Sequence, residues 1–287
     1  MVRLVNQTVT VVTVWLADTG PAKNAARDMR DLSNDSRFLL LTLVGDLSEA
    51  GGSALARLFH EMSPEGQVER HLNYLVRAGW LHRAGEGRID RRIFSLTDSG
   101  RARALGGDDP EKLWARSWSG KWTLVAFDVP ESKQDLRARL RRKLRRLRFG
   151  WLQNSVWISP DAAGVVTRDL GVAGIAPDSL SIFEASPAGG ESAADIVTSA
   201  WDFAQLERDY TSFRKVLDHR PSGGRFEASR WRKWIEQELQ AWRRICVSDP
   251  FLPEVLLPAG YPGQKAWRQR VQIYGEIGRA LAESMST

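Results

Sequence analysis

Between residues 35 and 105, apolar side chains recur at helical spacing three times and then give way to strand-like runs. Arg37 to Val44 carries Phe38, Leu41 and Val44 on one face, which predicts a first helix; Leu39, Leu40 and Leu43 make it apolar nearly all round. Gly51-Gly52 breaks this pattern, and Ser53 caps a second helix with Leu55, Leu58 and Phe59 turned inward. Ser63-Pro64 opens a third. Serine accepts a hydrogen bond from the exposed amides of the first turn, and proline gives up an N–H that has no helical partner there. Val68, Leu72 and Leu75 form its buried stripe, and Gly79 predicts a left-handed stop. Trp80 to His82 and Ile93 to Leu96 read as two strands joined through the glycine-rich turn Ala84-Gly85-Glu86-Gly87. Thr97-Asp98-Ser99 starts a further helix. Three helices followed by a charged hairpin predict a winged helix-turn-helix.

Residues 121–187 follow a different rhythm. Trp122 to Phe127 is a nearly continuous apolar run of strand type. Ser132 then caps a helix whose Leu136, Leu140, Leu144 and Leu147 share one face. Trp151 to Gln153 and Ser155 to Ser159 predict a tight strand pair, Asp161 to Leu170 a short helix, and Leu180 to Glu184 a last strand. The order βαββαβ predicts a ferredoxin-like α/β sandwich. Beyond residue 191 the pattern is helical. Ile196, Val197, Ala200, Trp201 and Ala204 make one stripe; Trp231, Trp234, Ile235, Leu239 and Trp242 a second; Trp267, Val271, Tyr274, Ile277 and Leu281 a third. Aromatics at this spacing are read as core before cofactor box. The chain is therefore read as α+β in four parts: an extension at 1–30, the winged helix-turn-helix at 31–106, the ferredoxin-like middle domain at 107–190 and a helical C-terminal domain at 191–287.

Composition narrows the function. With 287 residues and 43% apolar side chains the chain can bury several cores. Cys246 is the single cysteine, so no intrachain disulfide forms, which fits a reducing, cytoplasmic setting. The four histidines have no paired spacing with cysteines or acids, so neither a metal nor any other cofactor is expected. No apolar run approaches the ~20 residues that span a bilayer. Val9 to Leu16, broken by threonine and without a cleavage motif, is read as an upstream extension or an extra strand rather than a signal peptide. Charge is concentrated: residues 131–150 hold nine Lys/Arg against two acids, a net +7 that exceeds the +6 of the whole chain. The high isoelectric point thus reports one helix, whose arginines are read mainly as a solvated face.

DNA recognition needs polar groups on the outer face of the third predicted helix and on the wing. Gln67, Arg70, His71, Tyr74 and Arg77 fill the first role, and Arg83, Arg88, Arg91 and Arg92 the second. Residues 31–105 are neutral overall, with ten basic and ten acidic side chains, which leaves open a unit that binds only protein.

Several stretches resemble the PaaX family, the repressors of phenylacetic acid catabolism and their relatives. They are Gly79-Trp80-Leu81, Arg91 to Thr97 with Gly100-Arg101, Trp118-Ser119-Gly120-Lys121-Trp122 with Val125 to Pro130, and Gly150 to Ser159. Asp249 to Pro253, Leu256-Leu257-Pro258 and Pro262-Gly263 complete the set, which runs in order from about residue 36 to 282. The resemblance implies a homodimer on double-stranded operator DNA that is released by a small effector, an aryl-CoA thioester. It also implies a middle domain like the small CRISPR-associated ferredoxin-fold protein. Arg141 and Arg145 of the basic helix are the candidate holders of the effector's phosphates. Two places depart from the family pattern: Glu69 and Tyr74 stand where arginines are usual, and Tyr261 where tryptophan is.

The enzymatic rival is a metal-dependent nuclease built on Asp128, which ends the first middle strand. A two-metal site wants several carboxylates, and only this one is evident, so no catalytic residue is assigned. Residues 1–28 precede the first packed helix and lie outside the resemblance. A chain beginning at Met29 is expected to keep the fold and operator affinity of the full chain, as checked by circular dichroism and gel shift; loss of either would make Val9 to Leu16 a structural strand.

Overall fold

The computed structural model describes residues 49–51, 67–104, 109–129, 134–175, 180–222 and 228–284. The first two predicted helices of the N-terminal unit, the extension and Ser132 lie outside these residues. The chain divides into two compact units. One contains Lys112–Leu206 and Val247–Tyr261. The other is formed by the described parts of Met29–Glu111, Glu207–Cys246 and Pro262–Thr287.

The first unit is built on a four-stranded antiparallel sheet of β4 (Trp122–Phe127), β5 (Gly150–Gln153), β6 (Val156–Ser159) and β7 (Leu180–Ala185), in the order β5-β6-β4-β7. Helix α4 (Gln134–Arg146) connects β4 to β5, and α5 (Ala163–Val172) connects β6 to β7, so the expected βαββαβ order is present. Alternation along the strands sorts the side chains into two cores. Val125, Phe127 and Trp157 face Leu140 and Leu144 of α4 and Val166 and Leu170 of α5. Trp122 and Ile158 face the opposite way, onto Ile196, Val197 and Ala200 of α6 (Ala193–Ala200) and onto Leu252 and Leu256. Both faces of the sheet are thus covered, which is why β4 reads as a continuous apolar run rather than an alternating one. Leu136, expected on the buried face of the basic helix, is 44% exposed; the apolar stripe begins one turn later at Leu140.

Helix α6 lies close to β5, and one residue permits the approach. A Cβ built on Gly150 would meet the Trp201 indole at 2.7 Å and the Ala200 methyl at 2.8 Å. The Trp201 Nε1–H donates to the Arg148 carbonyl at 3.2 Å. Trp201 is also where the helical stripe expected from Ile196 to Ala204 breaks: α6 ends at Ala200, and α7 (Phe203–Asp218) starts after Asp202, whose carboxylate accepts from the Gln205 amide at 2.8 Å. Elsewhere in this unit Arg116 draws three segments together. Its guanidinium donates to the Leu113 carbonyl at 2.9 Å, to Asp161 at 2.6 Å and to the Phe251 carbonyl at 2.8 Å.

The second unit has two parts. A three-stranded antiparallel sheet runs β1 (Glu49–Gly51), β3 (Ile93–Leu96), β2 (Leu81–Ala84). Helix α1 (Gln67–Arg77) precedes β2 and turns Val68, Leu72 and Leu75 inward. Gly79 ends it at φ +73°, the left-handed stop that its sequence position predicts. Strand β1 pairs Ala50 with Phe94 and was not foreseen, because Gly51-Gly52 signals only a break. Residues 85–92 separate β2 from β3 and include a 3₁₀ turn at Ile89–Arg91. After β3, the Thr97 hydroxyl accepts from the Gly100 amide and caps α2 (Asp98–Ala104). A short α3 (Pro110–Trp114) follows.

The helical part contains most of α7, together with α8 (Ala228–Ser248) and α9 (Gly263–Ser284). Trp234, Ile235, Leu239 and Trp242 of the expected stripe are buried, while Trp231 is half-buried. The core also holds a charged pair that hydrophobic spacing does not reveal. Arg270 and Glu238 are both fully buried, at 2.6 Å. The Tyr274 hydroxyl donates to Glu238 at 2.5 Å, and the guanidinium lies 4.7 Å from the Trp242 ring. Burial is the largest influence and works against the Arg270 charge, but Glu238, Tyr274 and Cys246 together outweigh it and raise the pKa. Burial, helped by the Glu238 charge, pushes the Tyr274 hydroxyl well above its ordinary value.

Gly150→Ala is expected to destabilise the protein by about 1–3 kcal/mol, because the indole cannot retreat without opening the α6 contact. Gly164→Ala, where an added Cβ meets nothing within 4 Å, is the neutral control. Urea unfolding of both variants checks the contrast; equal midpoints would mean that α6 is not held by this approach.

Candidate DNA interface and ligand cavity

On α1, positions 67, 70, 71, 74 and 77 fall within about one third of the helix circumference, away from the buried stripe. Arg70 and Arg77 are exposed and His71 is half-buried; the Gln67 side chain is outside the described set. Tyr74 is 40% exposed and its ring stands nearly perpendicular to that of Trp80, with centroids 5.9 Å apart. The Arg103 guanidinium stacks 5.0 Å from the same Trp80 ring.

The arginines expected on the wing, which lie on β2 and the β2–β3 loop, divide into two kinds. Arg83, Arg88 and Arg91 are exposed, Arg88 with a loose 3.7 Å pairing to Asp90. Arg92 is held inward, its side chain only 15% exposed. It donates to Glu69 of α1 at 2.7 Å and to the Gly87 carbonyl. Arg92 therefore ties the β2–β3 loop to α1 instead of pointing outward, and Glu69 is its partner.

The first unit contains a cavity of about 630 Å³. Arg145, Arg148, Trp151, Trp157, Trp201 and Phe203 are among its walls. Of the two arginines expected to hold a ligand, Arg145 lines this cavity and Arg141 does not; Arg141 reaches the Asn154 carbonyl at 3.4 Å instead. Arg148, Trp151 and Trp201 were missed as site residues, because nothing in local spacing joins the end of α4 to residue 201. Arg148 has φ +66°, and its guanidinium lies 5.1 Å from the ring of Phe251, which is itself at φ +43°. Two bulky residues in left-handed backbone, stacked on each other, store strain beside the cavity. The Asp249 carboxylate is buried below and accepts from the Phe251 amide at 2.6 Å and from the Tyr261 hydroxyl at 2.5 Å. Tyr261, the other departure, is thus tied to the Asp249-Pro250-Phe251 turn and packs edge-on to Trp114.

Asp128 is exposed at the end of β4, and among the described residues no three His, Cys, Asp or Glu side chains gather where they could hold a metal ion. No described helix is long and apolar enough to cross a membrane.

Residues 115–197 match the family described as the PaaX protein central Cas2-like domain, and residues 201–285 match the PaaX-like protein C-terminal domain. Transcriptional repressor PaaX of Escherichia coli (strain K12) is 30% identical over 267 residues, which cover 86% of this chain and 82% of the relative. The chain belongs to the PaaX family. It is accordingly a transcriptional regulator and not an enzyme. A solved structure, uncharacterized protein Rv0674 from Mycobacterium tuberculosis, shares the fold: TM-score 0.55 at 22% identity, covering 88% of this chain and all of the other.

The Arg92–Glu69 tie has a measurable size. A double-mutant cycle with Arg92→Ala and Glu69→Ala is expected to give a coupling of about 0.5–1 kcal/mol by chemical unfolding, the modest value of a pair with one exposed partner. Additive effects of the two variants would show that the β2–β3 loop is held by the strands alone.

Proposed function

We propose that this PaaX-family regulator is a winged helix-turn-helix repressor, acting as a homodimer on double-stranded operator DNA. In this reading α1 enters the major groove, where Arg70, Tyr74 and Arg77 meet base edges, with Gln67 and His71 beside them. Arg83, Arg88 and Arg91 of the wing bind phosphates. Arg92 sets the wing's angle through Glu69 and contributes to DNA binding indirectly. The middle domain is a ferredoxin-like sandwich, and a small effector, an aryl-CoA thioester, releases the operator. The observation that carries the reading is one exposed arginine-and-tyrosine face on α1 next to three exposed arginines on the wing. A helix face supplies base contacts and a basic loop supplies phosphate contacts, which is the division of labour that sequence-specific binding needs.

Gel shifts on the promoter fragment upstream of the protein's own gene test this. Arg70→Ala and Tyr74→Ala are expected to cost about 1–3 kcal/mol of discrimination between operator and random DNA. Arg91→Ala should weaken both about equally and reduce the salt dependence by about one phosphate. Phenylacetyl-CoA titrated into the complex is expected to release DNA; a tenfold loss corresponds to about 1.4 kcal/mol of coupling. Wild-type binding by all three variants would remove α1 and the wing from the interface. No release by any CoA ester would remove the aryl-CoA effector.

A further inference from the structure

We propose that the outward face of α4, carried by Arg139, Arg142 and Arg146, binds the phosphate backbone of duplex DNA without regard to sequence, in addition to the contacts of the α1 face and the wing. The structure sorts the basic side chains of this helix. Lys143 is tied to the Gly174 carbonyl at 3.1 Å, Arg141 reaches the Asn154 carbonyl, and the Arg148 guanidinium lies on the Phe251 ring. Arg139, Arg142 and Arg146 are exposed, and no hydrogen bond or ion pair engages any of them among the described residues. At about 100° per residue they fall within about 60° of the helix circumference, nearly opposite the buried Leu140 and Leu144. Asp135, one turn before Arg139 on the same face, is exposed and takes no ion pair with it.

Two physical arguments make a polyanion the partner of this stripe. Like charges three and four residues apart on a helix repel, and an ordinary solvated face relieves this by alternating signs. Here Arg139, Arg142 and Arg146 follow one another at those spacings with no acid between them. A row of phosphates supplies the missing negative charge. The second argument is the charge balance. Affinity for DNA of any sequence comes from phosphates neutralised by Lys and Arg. Residues 31–105 are neutral, with ten basic and ten acidic side chains, while residues 131–150 carry +7. The electrostatic part of DNA binding then has its source on α4 and not in the unit that reads bases. The stripe is about 10 Å long, and duplex DNA carries one charge about every 1.7 Å of its axis, so the stripe meets several phosphates in any register. The choice of DNA over other polyanions rests on the regulator reading above.

Fluorescence anisotropy of the full chain with a labelled duplex of random sequence, about 30 bp long, tests this across a salt series. Arg139→Gln, Arg142→Gln and Arg146→Gln together should lower affinity at least tenfold at about 50 mM salt. They should also reduce the slope of log affinity against log salt by about 2–3, at about 0.9 per phosphate. Affinity for the promoter fragment should fall by a similar factor, which keeps its preference over random DNA; Arg70→Ala should do the reverse. Lysines at the same three positions (Arg139→Lys, Arg142→Lys, Arg146→Lys) should stay within threefold of wild type, since a phosphate also accepts a point charge. Arg142→Glu gives both neighbouring arginines a partner on the helix, so it should raise the urea midpoint and still weaken the random duplex at least tenfold. That combination separates lost binding from lost folding. Arg243→Gln, Lys265→Gln and Arg268→Gln remove three exposed charges from α8 and α9 and should stay within threefold. An equal loss in this control would reduce the effect to net charge and overturn the proposal. So would wild-type affinity and salt slope in the α4 glutamine variant, a lysine variant as weak as it, or tighter binding of duplex RNA or phosphatidylglycerol vesicles than of duplex DNA. If wild type shows no preference for the promoter fragment while the α4 variants still govern binding of the random duplex, the regulator reading falls and the stripe stands.

Discussion

The contact of the Trp201 indole with Gly150 is the constraint from which the packing of the second sheet face follows. Only a residue without a Cβ lets the indole and the Ala200 methyl come so near the strand backbone. That approach lays α6 on the second face of the sheet and buries Ile196, Val197 and Ala200 against Trp122 and Ile158. The indole N–H closes on the Arg148 carbonyl, at the residue where the chain leaves α4 in left-handed backbone. One steric permission thus sets a helix, a cavity wall and the direction of an arginine.

Arginine does three different jobs in the chain, and the surroundings of each decide which. Arg270 is wholly buried, where its charge is tolerated because Glu238 neutralises it and the faces of Trp242 and Trp267 lie against the guanidinium. Removing one partner of such a pair leaves an uncompensated charge, so it specifies the packing of the helical core more than it adds to stability. Arg116 and Arg92 are half-buried ties that satisfy backbone carbonyls and one carboxylate each. Arg70, Arg91 and Arg139 are exposed, and it is arginines of this kind that remain available for phosphates. A count of basic residues does not separate the three kinds.

The loop of residues 85–92 is held at both ends. Its strands pair through β3, and Arg92 reaches across to Glu69. The acidic residue at position 69 is what Arg92 of this loop needs. Tyr74 and Tyr261 each have a local partner too: the Trp80 ring for the first and the Asp249 carboxylate for the second.

Periodicity alone determined the elements that bury a single regular stripe. Val68, Leu72 and Leu75 marked α1, Gly79 marked its end, and the run Trp122 to Phe127 with the leucines of α4 led to the βαββαβ order. These signals are local, because helix and strand impose fixed repeats on neighbouring residues. The residues on the outer face of α1 were legible for the same reason, as whatever the stripe leaves over. Tertiary structure decided the rest. It showed that Arg92 turns inward, that Glu49 to Gly51 adds a strand to β3, and that Leu136 lies outside the core. It also separated Arg145, beside the cavity, from Arg141, and brought Arg148, Trp201 and Phe251 together. Each of these depends on a partner far away along the chain, 23 residues for Arg92 and Glu69 and 53 for Arg148 and Trp201. Ion pairs and close packing act through space, and a repeat along the sequence carries no record of which distant residue will arrive.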